Sequence, residues 1–182
     1  DVLQSRGLGD VYKRQVGYVA PVPTPNLGVL ASGGGTNLQA LIDAHERGDL
    51  AAPVAVVIAN NSGAGALDRA RKHGITALHI SGKTHADPDA AIADALAAHD
   101  VGVVALAGYL KKIGPRTLSA YEGRILNIHP GPLPRFGGQG MYGRHVHEAV
   151  LAAGVERSGP TVFAVTANYD EGPILAHEPV EV

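Results

Sequence analysis

Short apolar runs alternate with helix-forming stretches from Leu27 to the end of the chain. Apolar runs predict strands at residues 28–31, 54–59, 77–80, 101–106, 161–166 and 174–182, and one more that ends at His129. Between the early strands, apolar residues recur at helical spacing, as at Leu38 and Ile42. Regular alternation of this kind, with fully apolar strands, is typical of parallel sheets. The sequence therefore predicts an α/β fold with one doubly wound, mostly parallel, Rossmann-like sheet and helices on both faces.

Composition limits the kinds of partner. The chain has 182 residues, of which 45% are hydrophobic, enough for the core of one domain. A net charge of −2 and a pI near 6.5 provide no basic surface for nucleic acid or an anionic membrane, so a polyanionic partner is disfavoured. The absence of cysteine excludes disulfides, a thiolate nucleophile and cysteine-based metal sites, and it fits a cytoplasmic location.

The first 25 residues differ from the rest. They show neither strand nor helix periodicity, there is no initiating Met, and Pro21, Pro23 and Pro25 are typical of an extended linker. We interpret residues 1–25 as an extension foreign to the fold, disordered or artefactual, and residues 26–182 as the folded domain.

One predicted strand ends in two chemically useful side chains. The run must stop at His129, because Pro130 and the prolines that follow it cannot continue a sheet ladder. Asn127 and His129 are two residues apart on an extended chain and so point the same way, at the edge where α/β sheets bind ligands. An amide donor beside an imidazole suits acyl-type transfer. The alternative is that Asn127 caps a turn and His129 is a core residue.

A glycine-rich turn follows the first predicted strand. Residues 32–37 (SGGGTN) lie immediately before the first predicted helix. A glycine loop at a helix N-terminus suits a phosphate, although three glycines can also serve only a tight turn. The loop lacks the Lys-Ser/Thr ending of a P-loop and the spacing of a dinucleotide fingerprint, which argues against ATP and NAD.

Three further features of the sequence bear on the site. Residues 137–143 are too rich in glycine for regular structure and predict a loop over the site. His145 and His147 cannot share one helix face, so a metal pair there is improbable. Asp170 lies in a polar turn, where carboxylates are usually only solvated, and it needs a partner to have a function.

Five segments, taken together, carry a family resemblance. They are residues 32–40 (SGGGTNLQA), 106–109 (LAGY), 127–130 (NIHP), 133–134 (LP) and 169–173 (YDEGP). In this order and spacing they closely resemble the phosphoribosylglycinamide formyltransferases of purine biosynthesis. The Asn-x-His-Pro and Asp residues are shared with methionyl-tRNA formyltransferases and formyltetrahydrofolate deformylases, whereas the glycine loop followed by TNLQA favours the first group.

The resemblance implies a reaction and its residues. The amine of 5′-phosphoribosylglycinamide would attack the formyl carbon of 10-formyltetrahydrofolate, the co-substrate, without a metal or a covalent enzyme intermediate. Asn127 would donate to the oxyanion, His129 would act as acid and base, and Asp170 would tune His129. The implied phosphate-binding residues are Gly35, Thr36 and Asn37. The implied folate-binding residues are Leu110, Lys111, Lys112, Ile113 and Asn127, with Leu110 and Ile113 packing the ring.

Other functions remain open at this point. A deformylase or another enzyme of the same fold would use a different acceptor, and a noncatalytic phosphate- or folate-binding fragment would lack turnover. Retention of all three implied catalytic residues favours catalysis. The sequence departs from many relatives in having Phe163 where they have His, in lacking an evident folate-tail Arg near residues 87–89, and in ending at Val182, which predicts a C-terminally truncated domain.

Replacing Gly35 with a β-branched residue is expected to weaken ribonucleotide binding and to leave folate binding nearly intact.

Overall fold

The computed structural model describes residues 24–182, which form five helices and nine strands. The helices are α1 Thr36–Glu46, α2 Gly65–Lys72, α3 Pro88–Ala98, α4 Pro115–Ala120 and α5 Arg144–Ala152. The strands are β1 Asn26–Ala31, β2 Val54–Ala59, β3 Thr76–His79, β4 Val101–Leu106, β5 Ile125–His129, β6 Arg157–Ser158, β7 Thr161–Ala164, β8 Ile174–His177 and β9 Val180–Glu181.

Seven strands form one sheet in the order β3-β2-β1-β4-β5-β7-β8. The five strands from β3 to β5 are parallel, and β7 and β8 are antiparallel additions at one edge. The order reverses direction between β1 and β4, which places a crevice at the carboxyl ends of these neighbouring strands. The predicted mostly parallel, doubly wound sheet is confirmed.

Alternate residues of the central strands pack on opposite faces of the sheet. Leu30 packs with α3 residues such as Leu96 in one core cluster. Val29 packs with α1 residues such as Leu38 in the other. Helices therefore cover both faces, as a strand with consecutive apolar residues requires.

Two helix starts follow local sequence rules. Asp87 precedes α3, its side chain accepts a hydrogen bond from the backbone N–H of Ala90, and Pro88 occupies the first helical turn. Gly35 precedes α1 in the left-handed conformation with φ 76°, which glycine adopts without strain. The glycine loop is thereby turned directly onto the N-terminus of α1.

The predicted last strand at residues 174–182 is wrong, because the chain forms two strands there. β8 pairs with β7 in the main sheet, whereas β9 pairs with β6 in a separate two-stranded sheet. The break between β8 and β9 falls at Pro179, which has no N–H to donate, and the segment that pairs with them is interrupted between β6 and β7 at Gly159 and Pro160. The two segments therefore do not form one continuous ladder.

The predicted extension lies mostly outside the described residues, which begin at residue 24. Pro25, the last residue of the predicted extension, lies where a side chain at Gly102 would clash with it. Gly102 in β4 therefore makes room for Pro25. Within residues 24–182, no helix is both long and apolar enough to cross a bilayer.

Candidate functional site at the carboxyl edge of the sheet

The loops after β1, β4 and β5 meet because these strands are parallel neighbours. Ser32 links them: its N–H donates to Gly108 O over 3.0 Å, and its Oγ accepts from the N–H of Leu110 over 2.8 Å. Its carbonyl accepts from Asn61 Nδ2 over 2.7 Å, which adds the loop after β2. Ser32 is buried, so these bonds hold the edge in a defined arrangement.

A cleft of about 560 Å³ opens at this edge, and we call it the central cleft. Its lining comprises residues 108–111, 127–130 and 138–143 together with Tyr169 and Asp170. The structure thus brings the side chains of Asn127, His129 and Asp170 to one cavity. The predicted glycine-rich loop contributes one wall, from Gly138 to Gly143.

His129 is only 3% exposed, and both ring nitrogens face protein oxygens. Nε2 lies 2.7 Å from the carbonyl oxygen of Phe136, and because a carbonyl can only accept, Nε2 carries the proton. Nδ1 lies 3.7 Å from Asp170 Oδ2. Phe136 is fixed by packing against Val146 and Val150 of α5. Nδ1 is therefore the nitrogen left to take up or release a proton, and a carboxylate faces it.

Asp170 owes its position to an unusual backbone conformation. Its φ of 55° lies in the left-handed region, which aspartate tolerates better than most residues. Oδ2 accepts a hydrogen bond from the N–H of Gly138 over 2.9 Å. The carboxylate is therefore held between the N–H of Gly138 and the imidazole of His129.

Two further cavities adjoin the central cleft. The small pocket, of about 70 Å³, has a lining of Leu106, Tyr109, Lys111, Lys112, Ile113, Asn127, Phe163 and residues 165–170. The outer cleft, of about 680 Å³, shares Tyr109 and residues 111–113 with it and adds loops after β2 and β3, including Lys83. Asn127 and Asp170 line both the central cleft and the small pocket.

Four of the predicted folate residues line the small pocket: Lys111, Lys112, Ile113 and Asn127. Leu110 lines the central cleft instead, and its packing against the folate ring together with Ile113 stays a prediction. The bond from its N–H to Ser32 turns Leu110 toward the central cleft, where its side chain is 67% exposed. Phe163 is 2% exposed and gives the small pocket an apolar wall.

The glycine loop presents unpaired donors at the start of α1. Within the described chain, no protein acceptor is bonded to any backbone N–H from Gly33 to Leu38. The carbonyls of Gly33 and Gly34 instead face α2, accepting from Ala66 N over 3.1 Å and from Arg69 Nε over 2.8 Å. A run of free N–H groups at a helix N-terminus can bind an anion.

Gly35 has a structural role as well. A Cβ at this position would lie 2.7 Å from Ala66 Cα, in a left-handed backbone that disfavours side chains. Substitution at Gly35 therefore strains the fold, so the predicted effect on ribonucleotide binding would be accompanied by a loss of stability.

The loop that separates the small pocket from the outer cleft is secured by Asp89. Its carboxylate accepts from the N–H groups of Arg116 and Thr117 over 2.8 and 3.1 Å and from the Thr117 hydroxyl over 2.6 Å, which caps α4 from a neighbouring helix. Partial burial acts to raise the pKa of Asp89, but these hydrogen bonds outweigh it and lower the pKa below 3.8. Burial raises the pKa of Tyr109, and the Asp89 charge adds to the effect.

Several site residues escaped prediction. Tyr109 lines all three cavities, although only the signal LAGY marks it in the sequence. Thr161, 1% exposed, donates to Gly131 O over 2.8 Å and so holds the segment after His129. Arg69 of α2 contacts the glycine loop, and no local sequence motif marks it. Such contacts join residues far apart in the chain, and periodicity does not reveal them.

The described residues contain no cluster of metal-ligating side chains. No group of three or more His, Cys, Asp or Glu side chains is close enough there to hold an ion. His145 and His147 are both exposed on α5.

Comparison with known proteins agrees with this geometry. A family model described as formyl transferase matches residues 26–182. The chloroplastic phosphoribosylglycinamide formyltransferase of Vigna unguiculata is 41% identical over 160 residues, which are 86% of this chain and 51% of that protein. This chain thus spans about half the length of that relative.

Solved structures give the same relationship. Glycinamide ribonucleotide transformylase 1 from Symbiobacterium toebii superposes with a TM-score of 0.80 at 42% identity, covering 87% of this chain and 74% of that one. A formyltetrahydrofolate deformylase from Pseudomonas syringae pv. tomato has a TM-score of 0.75 at 25% identity, covering 87% and 52%. The family match, the shared fold and the arrangement of Asn127, His129 and Asp170 lead to one conclusion: the chain belongs to the formyl transferase family.

Proposed function

We propose that the chain transfers the formyl group of 10-formyltetrahydrofolate to the amine of 5′-phosphoribosylglycinamide, a step of de novo purine (IMP) biosynthesis. The observation that carries the proposal is the convergence of Asn127, His129 and Asp170 on one cleft, with Asp170 Oδ2 3.7 Å from His129 Nδ1. The similarity to phosphoribosylglycinamide formyltransferases supports it.

In this proposal the ribonucleotide lies between the glycine loop and the central cleft. Its phosphate accepts from the free N–H groups of Gly35, Thr36 and Asn37, where the dipole of α1 favours negative charge. Its amine then reaches the central cleft beside Asn127. Both regions lie at the carboxyl edge of neighbouring strands, which makes one extended substrate site possible.

The folate occupies the neighbouring cavities. Its ring system lies at the small pocket, where Ile113 and Phe163 are buried apolar walls and Lys111 and Lys112 contribute backbone and charge. The rest of the molecule extends along the outer cleft, which Lys83 also lines. Its formyl group then meets the amine at Asn127, which belongs to both the small pocket and the central cleft.

The chemistry follows from these positions. The neutral amine adds to the formyl carbon, and the Asn127 amide donates a hydrogen bond to the oxyanion that forms. His129 exchanges a proton with the tetrahedral intermediate while Asp170 stabilises its charged form. The bond from the formyl carbon to the folate nitrogen breaks, that nitrogen takes a proton, and the formylated amide remains on the ribonucleotide.

The test is formyl transfer by the chain in the presence and absence of 5′-phosphoribosylglycinamide. We expect tetrahydrofolate to form only when the ribonucleotide is present. Its rate of formation should equal the rate at which the formylated product forms. Release of free formate at an equal rate without the ribonucleotide would identify a deformylase. Binding of both ligands without turnover would identify a noncatalytic fragment, and either result would overturn the proposal.

A further inference from the structure

Arg69 joins α2 to the glycine loop at two points. Its side chain is half-buried, Nε donates to Gly34 O over 2.8 Å, and Nη1 donates to Gln39 Oε1 over 3.1 Å. Gln39 is itself held, because its Nε2 donates to Asp43 Oδ1 over 2.8 Å. The guanidinium is therefore fixed in place between the loop and the first turns of α1.

The contact with the Gly34 carbonyl determines the direction of a backbone donor. In a planar trans peptide, the C=O of one residue and the N–H of the next point in opposite directions. Arg69 holds the Gly34 carbonyl toward α2, so the N–H of Gly35 is directed away from α2. The bond from Ala66 N to Gly33 O has the same effect on the N–H of Gly34.

Charge adds to this orientation. A guanidinium is protonated at every working pH, and its planar fork can satisfy two acceptors at fixed angles. Arg69 therefore brings a permanent positive charge within hydrogen-bond distance of the loop whose N–H groups are unpaired. A lysine would supply the charge without the fork.

We propose that Arg69 is a positioning residue for the ribonucleotide phosphate: it orients the backbone donors of the glycine loop and adds positive charge behind them. This inference rests on the proposed function, because it assigns to Arg69 a part in binding the phosphate of that substrate. It predicts an effect confined to ligands that carry the phosphate.

The experiment compares Arg69→Met and Arg69→Lys with Arg71→Met. Arg71 lies on the same helix, is exposed and, among residues 24–182, pairs only with Asp68 over 2.8 Å, so its loss removes the same charge without touching the loop. The ligands are 5′-phosphoribosylglycinamide, its dephosphorylated nucleoside and 10-formyltetrahydrofolate, and their dissociation constants are measured by calorimetry. A melting curve for each variant reports the fold.

We expect Arg69→Met to weaken ribonucleotide binding about tenfold, because the phosphate loses a nearby positive charge and the loop donors lose their fixed direction. Nucleoside and folate binding should stay within about twofold of wild type. The affinity of Arg69→Lys for the ribonucleotide should lie between those of Arg69→Met and wild type, and the affinity of Arg71→Met should match that of wild type.

Equal affinities of Arg69→Met and Arg71→Met for the ribonucleotide would overturn the inference. So would equal losses for ribonucleotide, nucleoside and folate, which would indicate a general effect on the fold. If Arg69→Met does not fold, Arg69→Lys provides the test. An affinity of Arg69→Lys for the ribonucleotide equal to that of wild type would exclude an orienting role for the guanidinium and overturn the inference. Failure of the wild-type chain to bind the ribonucleotide at all would instead reject the proposed function, and the inference with it.

Discussion

At Asp170, charge can be removed almost without changing shape. Asparagine tolerates the left-handed φ of 55° as aspartate does, and its side-chain oxygen can still accept from the N–H of Gly138. We therefore expect Asp170→Asn to melt at the wild-type temperature but to reduce kcat/KM by a factor on the order of 10², because His129 loses its facing carboxylate.

The same pair allows a test of coupling. His129→Ala should cost at least as much activity as Asp170→Asn, and the double variant should lose far less than the product of the two single losses. The measurement is kcat/KM for the three variants. Independent, multiplicative losses would show that the two residues do not act as one unit.

Substitutions at two neighbouring glycines of the loop should have different effects, one on ribonucleotide binding and the other on stability. Within residues 24–182, no atom outside the two chain neighbours lies within 4 Å of a Cβ placed at Gly34, whereas one at Gly35 meets Ala66 in a left-handed backbone. We expect Gly34→Ala to keep its melting temperature but bind the ribonucleotide more weakly, since the methyl group lies beside the free N–H groups. Gly35→Ala should lose about 1–3 kcal/mol of stability. Melting curves and ribonucleotide titrations of both variants check this, and a stable, tightly binding Gly34→Ala would contradict it.

Between elements, Asp89 attaches the start of α4 to α3. Asp89→Ala removes an acceptor from the first turn of α4, and we expect a loss of about 1–2 kcal/mol near neutral pH, as for other helix caps. Because folding lowers the Asp89 pKa, its contribution is present above the ordinary value of 3.8 and disappears as the pH falls through the lower, folded value.

The check is urea unfolding of wild type and Asp89→Ala from neutral pH down to about pH 3, with the difference in stability expected to shrink in acid. Asp94→Ala is the control, since its exposed pair with Arg116 at 3.3 Å should contribute little. A difference that stays constant with pH would rule out the carboxylate as its source.

Elements also show where sequence reasoning succeeds. β2 and β4 are continuous apolar runs, and both appear at the predicted bounds, Val54–Ala59 and Val101–Leu106. The two-residue strands β6 and β9 have no measurable period and exist only because distant segments pair. For the same reason the contact of Arg69 with Gly34, 35 positions away, leaves no local signal.

For the whole molecule, Asn127 and Asp170 form a wall common to the central cleft and the small pocket. Under the proposed function, amine and formyl donor must then be present together, one on each side of that wall. The chain has no cysteine to carry the formyl group in between. We expect double-reciprocal plots of initial velocity against either substrate to intersect, as for a sequential mechanism. Parallel lines would mean that the first product leaves before the second substrate arrives, a ping-pong order in which a shared wall would have no purpose.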